Sequence, residues 1–307
     1  MKKYISFIFL FIFGIFLASC NESDSYKLSV SGPSGAPSVC VADMMNKYSD
    51  EYDFNLSLDA STGLPSAFSE KESDVIIAPI NLGAKQYANN KTYKLSAVLT
   101  WGNLYLASRK ENFKLEDLNN HEVYFFGEAT INAVIVNYIL EKKNITPSNI
   151  EYLESTVLTQ AKLVSDENAI VLIAEPILSQ TISKKEGISY ISVQKLYQEV
   201  SNKNSYPQAG CFIKASTIDN HKKVIDLFLS RLEASASKVT SNPEEIAQTV
   251  IDLKILSTPF NVTLNALPNC NIRYVKALDA KDDIESLVAL KKELFGKEMP
   301  IDEFYYE

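Results

Sequence analysis

Four apolar residues closed by a proline, Val75-Ile76-Ile77-Ala78-Pro79, limit most sharply what this chain can become. An uninterrupted apolar run this short fits a strand buried on both faces, the kind found in α/β sheets covered by helices. Proline gives no N–H to a sheet ladder, so the strand stops there. Asn81 then caps a short helix over 82–87, its side chain accepting from an orphan N–H of the first turn. Residues 93–100 alternate roughly and form a second strand; 104–108 form a third, with Trp101-Gly102-Asn103 between them. Such a unit puts its polar loop ends, Asn81 and Trp101-Gly102-Asn103, at strand termini, where open α/β sheets receive ligands.

The unit recurs on either side. Residues 26–31 alternate as a first strand, Gly32 to Gly35 is a turn cluster, and Pro37 suits the first position of a helix continuing to residue 48. Backbone N–H groups around Ser34, Gly35 and Ala36 then stand at a helix N-terminus, whose roughly half positive charge favours a carboxylate, sulfonate or phosphate. An ordinary βα turn with nothing bound fits the same residues. A strand over 54–58 leads to the loop 59–65, where Thr62-Gly63 is a further candidate ligand loop, and to a helix starting at 66. Short connections between alternating strands and helices give a parallel-sheet lobe.

Near Arg109 the pattern restarts as a second lobe. A short helix over 115–118 and a strand over 122–126 lead through Gly127 to Thr130 into a helix over 131–142, with Val134, Ile135, Tyr138 and Ile139 on its buried face. Thr130 is either the N-cap or a ligand contact aimed from the opposite lobe. A strand over 149–153, a helix over 158–164 and a buried strand over 169–174 follow, and Glu175-Pro176 comes at once. Glu175 either receives a donor group of the ligand or caps the helix opened by Pro176, the commoner role. Residues 202–206 make a polar hinge and 207–213 a returning strand. Amphipathic helices over 218–236, 243–254 and 284–295 then cover the first lobe, with Phe304-Tyr305-Tyr306 as an aromatic anchor.

Charge and residue counts exclude several classes of function. The net charge is −8, or −10 once Lys2 and Lys3 leave with the N-terminal segment, and no Lys/Arg cluster offers phosphate-neutralising charge, so no nucleic acid is expected. His121 and His221 are the only histidines and stand far apart; neither a GxSxG elbow nor a GxGxxG or GxxxxGK[ST] loop is present. Cys40, Cys211 and Cys270 lack CxxC spacing and read as small buried hydrophobes. Catalytic residues, metal ligands and cofactors are therefore not expected.

The N-terminus reads as a processing segment. Lys2-Lys3 precede an apolar region over 5–16, and Leu17-Ala18-Ser19-Cys20 resembles a bacterial lipobox, with cleavage before Cys20 and a lipid on its thiol. The apolar run is shorter than the ~20 residues a membrane-spanning helix needs.

The order of these segments resembles the periplasmic-binding-protein family that serves ABC importers of the nitrate, sulfonate and taurine type. The likeness rests on the NLGAKQY and TWGNLYL runs of residues 74–108, on Gly32-Pro33-Ser34-Gly35-Ala36-Pro37, on Ala174-Glu175-Pro176, and on the tail from Met299 to Tyr306. It implies an α/β, two-lobed type II fold with parallel-type sheets flanked by helices and a hinge between lobes. The expected division is a signal peptide over 1–19, lipidated Cys20 and a tether to 25, a first lobe from 26–108 plus 208–307, and a second from 109–207. The implied function is capture of a small-molecule solute by a lipid-anchored monomer on the extracytoplasmic face of the cell membrane, for delivery to an ABC permease and ATPase. Ser34, Gly35, Ala36, Thr62, Gly63, Asn81, Trp101, Gly102, Asn103, Thr130 and Glu175 are the candidate ligand contacts. Loops without arginine, and an indole face at Trp101 that either stacks on a ligand or is plain core, suit an organic solute with at most one anionic group, such as a heterocycle or a monosulfonate. The alternatives are an enzyme on the same fold, of the pyrimidine-precursor or menaquinone-pathway type, and a ligand-sensing lipoprotein. The cysteine-rich motif and reacting histidine of the pyrimidine synthases are missing here.

Overall fold

The structure, a computed structural model, describes residues 26–60, 62–296, 298 and 300–306; the expected signal peptide, Cys20 and the tether lie outside them. Strand β1 (Leu28–Pro33) leads through the short helices α1 (Ala36–Val39) and α2 (Ala42–Lys47) to β2 (Tyr52–Leu58). Helix α3 (Gly63–Glu70), β3 (Val75–Pro79), α4 (Ile80–Asn90) and β4 (Tyr93–Trp101) follow, and β5 (Leu104–Ser108) starts only two residues later. Next come β6 (Glu122–Phe126), α5 (Ile131–Lys142), β7 (Asn149–Leu153), α6 (Thr156–Ser165), β8 (Ile170–Ala174), α7 (Ile177–Lys184), β9 (Ser189–Ser192) and α8 (Val193–Ser201). The remaining elements are β10 (Pro207–Lys214), α9 (Ala215–Asn220), α10 (Lys222–Ser241), α11 (Pro243–Asp252), α12 (Phe260–Ala266), β11 (Ile272–Lys276) and α13 (Lys281–Leu290).

These strands form two sheets, one in the order β11-β4-β10-β3-β1-β2 and the other in the order β7-β6-β8-β5-β9. In the first, β1 is parallel to β2 and β3, while β10 runs antiparallel to both β3 and β4. In the second, β6 is parallel to β7 and β8, and β5 runs antiparallel to β8 and β9. The sheets are therefore mixed where parallel ones were expected. The physical reason is the crossing: β4 leaves the first sheet at its carboxyl edge, and two residues give no room to turn, so β5 enters the second sheet running backwards. All of β5, which the expected division gives to the first lobe, is bonded into the second sheet. The crossing lies at Gly102-Asn103.

Alternation along β3 explains how a wholly apolar strand is used. Val75 and Ile77 pack with Met44, Phe228 and Ile246 on one face of the first sheet. Ile76 and Ala78 pack with Phe68, Tyr87, Phe212 and Ile284 on the other. This second cluster continues through Trp101, Leu104, Val193 and Tyr206 into Val123, Phe125 and Ile135, an apolar seam that joins the two sheets. The tail closes over the same face. Phe304 lies between the rings of Tyr87 and Phe212, at 5.2 and 6.2 Å, and Tyr306 N–H donates to the Leu95 carbonyl at 2.7 Å.

Several local expectations change. The helix foreseen up to residue 48 breaks at Cys40-Val41 into α1 and α2, and that over 218–236 breaks at His221 into α9 and α10. The last amphipathic helix ends at Leu290 and gives way to a 3₁₀ turn, Lys292–Phe295. Neither α12 nor β11 was foreseen; seven and five residues are too few to establish a period. Cys40, Cys211 and Cys270 are free thiols, all buried.

Candidate functional site

Strand direction decides where a ligand can sit. β1, β2, β3 and β4 end at one edge of the first sheet, and β10 begins there, with Trp101 opposite Pro207 and Pro79 opposite Ala209. β6, β7, β8 and β9 end at one edge of the second sheet, where β5 begins with Leu104 opposite Ala174. The Gly102-Asn103 link ties these two edges together, so the carboxyl ends of both sheets face each other across it. Ligands of open α/β sheets bind outside such ends.

Four carboxamides mark this junction. Asn81 lies in the first turn of α4 and Asn103 in the crossing link; they are 9% and 5% exposed. Neither carboxamide oxygen accepts a hydrogen bond from the protein, and the same is true of the Gln208 oxygen at the start of β10. Gln208 Nε2 reaches across to Asn132 Oδ1 in α5 at 3.3 Å, a direct link between the lobes. A buried polar atom left without a partner costs about 1–3 kcal/mol, and the Trp101 indole N–H and the Thr100 and Tyr206 hydroxyls are unpartnered at the same edge, which makes it the candidate site.

Thr130 is the N-cap of α5, as its spacing suggested: its hydroxyl accepts from Asn132 N–H at 3.2 Å and donates to the Gly127 carbonyl at 2.7 Å. Gly127 has φ 76°, and a Cβ there would come within 2.5 Å of Thr130 Oγ1. Of the two roles weighed for it, Glu175 takes the capping one. Its oxygens accept from Ser179 N–H at 3.1 Å and Ser179 Oγ at 2.9 Å, which caps α7, and its own N–H donates to the Asn103 carbonyl at 3.1 Å. Burial pushes the Glu175 carboxyl up from its ordinary range, against the lowering effect of hydrogen bonds from Ser179 and the Asn269 side chain. Among the described residues no lysine or arginine pairs with it. The same carboxylate, behind the effect of burial, helps hold the Tyr105 hydroxyl and the Cys270 thiol in their neutral forms.

The other candidates are placed differently. Asn81 is not the cap of α4: Pro79 precedes the helix, and Asn81 is its second residue. The Ser34-Gly35-Ala36 turn opens only the four-residue α1, Gly35 has φ 103°, and its N–H is directed to the Ile255 carbonyl at 3.4 Å. Thr62 is exposed and bonded to Asp59 Oδ1 through both N–H and hydroxyl, at 2.9 and 3.0 Å, with Gly63 opening α3 behind it. Trp101 is core: it is 1% exposed, and the Arg273 guanidinium lies 4.1 Å from its ring centre. Gly102 is a close-approach position, where a Cβ would stand 2.3 Å from Gln194 Oε1 and 2.5 Å from the Tyr206 ring. Sequence reasoning missed Asn132, Gln208 and Asn269. Asn132 sits two residues after a recognised cap and was within reach of local reading. Gln208 and Asn269 come to the junction only through the sheet order.

No family model matches the chain, and no curated protein matches it in sequence. Solved structures do match. An ABC transporter protein from Parabacteroides distasonis superimposes with a TM-score of 0.79 at 19% identity, over 92% of this chain and 99% of that one. The periplasmic aliphatic sulphonate binding protein SsuA of Escherichia coli gives 0.70 at 12% identity, over 92% of each chain. The ligand-binding component of an ABC-type import system from Staphylococcus aureus, solved with zinc bound, gives 0.71 at 15% identity, over 91% and 96%. At these identities the likeness establishes the fold: the chain has the two-lobed, mixed α/β fold of periplasmic binding proteins.

Proposed function

We propose that a chain with this fold acts as an extracytoplasmic solute-binding lipoprotein. Anchored through a lipid on Cys20, it captures a small organic solute between its lobes and passes it to the permease and ATPase of an ABC importer. The observation that carries this reading is the meeting of two carboxyl edges at Gly102-Asn103, with the carboxamide oxygens of Asn81, Asn103 and Gln208 left unsatisfied by the protein. The names of the structural neighbours, which speak of ABC import and sulphonate binding, support it and favour a binder over an enzyme.

Mechanistically, the crossing link and residues 202–206 act as the hinge. A solute that bonds to both lobes binds the closed form better than the open one and shifts the population toward closure. Calorimetry against taurine, alkanesulfonates, nitrate, pyrimidines and riboflavin-like heterocycles, paired with small-angle scattering, tests this. A binding solute should contract the molecule, and Asn103→Leu should weaken both effects. Binding without contraction, or binding indifferent to Asn103→Leu, removes the cleft from the reading. The anchor is tested separately: Cys20→Ala should abolish incorporation of a clickable fatty acid, and equal labelling excludes it.

A further inference from the structure

A second contact between the lobes accompanies the Gln208–Asn132 bond. Helix α7 of the second lobe packs against α12 of the first, and the 3₁₀ turn Leu267–Cys270 that follows α12 comes up to Tyr105 and Glu175. The Tyr105 hydroxyl donates to the Asn269 carbonyl at 3.5 Å, and the Asn269 side chain bonds the Glu175 carboxylate. Each side of the contact is fixed to its own lobe: Cys270 belongs to the core of the first sheet and Tyr105 to that of the second. Glu175 lies in this contact, 4% exposed.

The forces on the Glu175 carboxyl divide by lobe. Ser179 N–H, Ser179 Oγ and the first turn of α7 favour the anion, and they travel with Glu175 as parts of the second lobe. From the first lobe comes the Asn269 bond, which also favours the anion, and the cover of the Leu267–Cys270 turn, which keeps water out and favours the neutral acid. Burial is the strongest of these and holds the carboxyl above its ordinary 4.5. Parting the lobes removes the first lobe's share of that burial and lets water reach the carboxylate, while Ser179 stays bonded. A charged group left without a cation gains most from such wetting.

Among the described residues no other group at the contact titrates in the same range. Burial keeps the Tyr105 hydroxyl and the Cys270 thiol neutral, above their ordinary 10.0 and 9.0. Strand β8 and α12 carry no ionisable side chain, Lys184 closes the far end of α7, and Lys162 of α6 is engaged by Asp166 at 3.1 Å.

We infer that Glu175 is a proton-operated latch between the lobes: as a neutral acid it holds them together, and as a carboxylate it lets them part. This rests on the solute-capture reading, which supplies the open form, and adds a regulation to it, the uptake of a proton on closure. The sign follows from the burial: joined lobes are favoured when the acid is neutral, and the preference fades as pH rises through the raised value.

Small-angle scattering on the unliganded chain, followed from neutral pH down toward 4.5, tests this. The wild type should contract, its ratio of closed to open molecules rising about fivefold or more, a usual size for coupling between sites. Glu175→Gln, neutral at every pH and still able to accept from Ser179, should be compact throughout and lose the pH response. A wild-type radius that ignores pH, or an equal response in Glu175→Gln, overturns the latch. Solute capture is judged apart from it, by contraction of the wild type at neutral pH with taurine, alkanesulfonates or nitrate. A chain blind to pH that contracts with one of these loses the latch alone; one that answers to pH and to none of them keeps the latch and counts against capture.

Discussion

Asp74 shows how one side chain can hold three elements. It stands just before β3 and accepts from Ser29 N–H at 2.9 Å in β1, Ser29 Oγ at 2.9 Å, Tyr26 OH at 2.9 Å, and Thr217 Oγ1 at 2.7 Å in α9. Burial by itself would raise its pKa, but these donors win, and the carboxyl titrates below its ordinary 3.8. Its contribution is therefore complete above that value and is lost as pH falls through the lower folded one. Asp74→Asn should cost about 2–3 kcal/mol at neutral pH, within the range for bonds to a charged group. In urea melts the gap to the wild type should close in acid below the ordinary carboxylate range; a constant gap would mean that charge is not the cause. Gly83 makes the packing counterpart. A Cβ there would come within 2.1 Å of the Phe212 ring, which is wedged against Phe68 and Phe304. Gly83→Ala should destabilise the chain by about 1–3 kcal/mol despite the better helix propensity of alanine, read as a lower urea midpoint.

At the scale of elements, what sequence could reveal depended on whether the signal was local. The α5 segment was readable from end to end, because Thr130 is followed at once by apolar residues at helical spacing. Thr130→Ala should cost about 1 kcal/mol in thermal or urea unfolding, the usual value of an N-cap. An unchanged melting point would show that Gly127 alone sets the turn. β3 was readable as well, since residues of both parities are apolar and both sheet faces are covered. The break at His221 was not, because apolar spacing continues across it. Nor was the role of Asn81, where an asparagine after a proline looks like a cap although the helix has already begun at Ile80. Trp101 illustrates the other limit. Its ring is covered by Arg273 from a strand that begins about 170 residues later, and no window of sequence holds both. The overall fold could be read because it rests on repeated local units; the site could not be completed because Gln208 and Asn132 meet only after two lobes are assembled.

For the whole molecule, the Gln208–Asn132 bond is a side-chain contact between the two lobes, and under the solute-capture proposal it would bias an equilibrium between open and closed lobes. Asn132→Ala should remove about 1 kcal/mol of that bias, roughly a fivefold shift toward the open form, visible as a larger radius of gyration in the unliganded chain. An identical scattering profile would mean that the apolar seam alone sets the lobe angle. The double crossing has a further effect, on the time course of biogenesis. Every strand of the second sheet lies between Leu104 and Ser192, whereas the first sheet needs both Leu28 and Lys276. Chains fold broadly from the N-terminus as they emerge, so the second sheet can close while the first still has a gap. That gap is internal: β3 and β4 are not neighbours, and β10 must slide between them. Until residue 214 arrives, the apolar strands β3 and β4 carry unpaired edges, the condition under which nascent chains associate with one another. Slow or faulty insertion of β10 is thus the point at which synthesis of this protein is most exposed to aggregation.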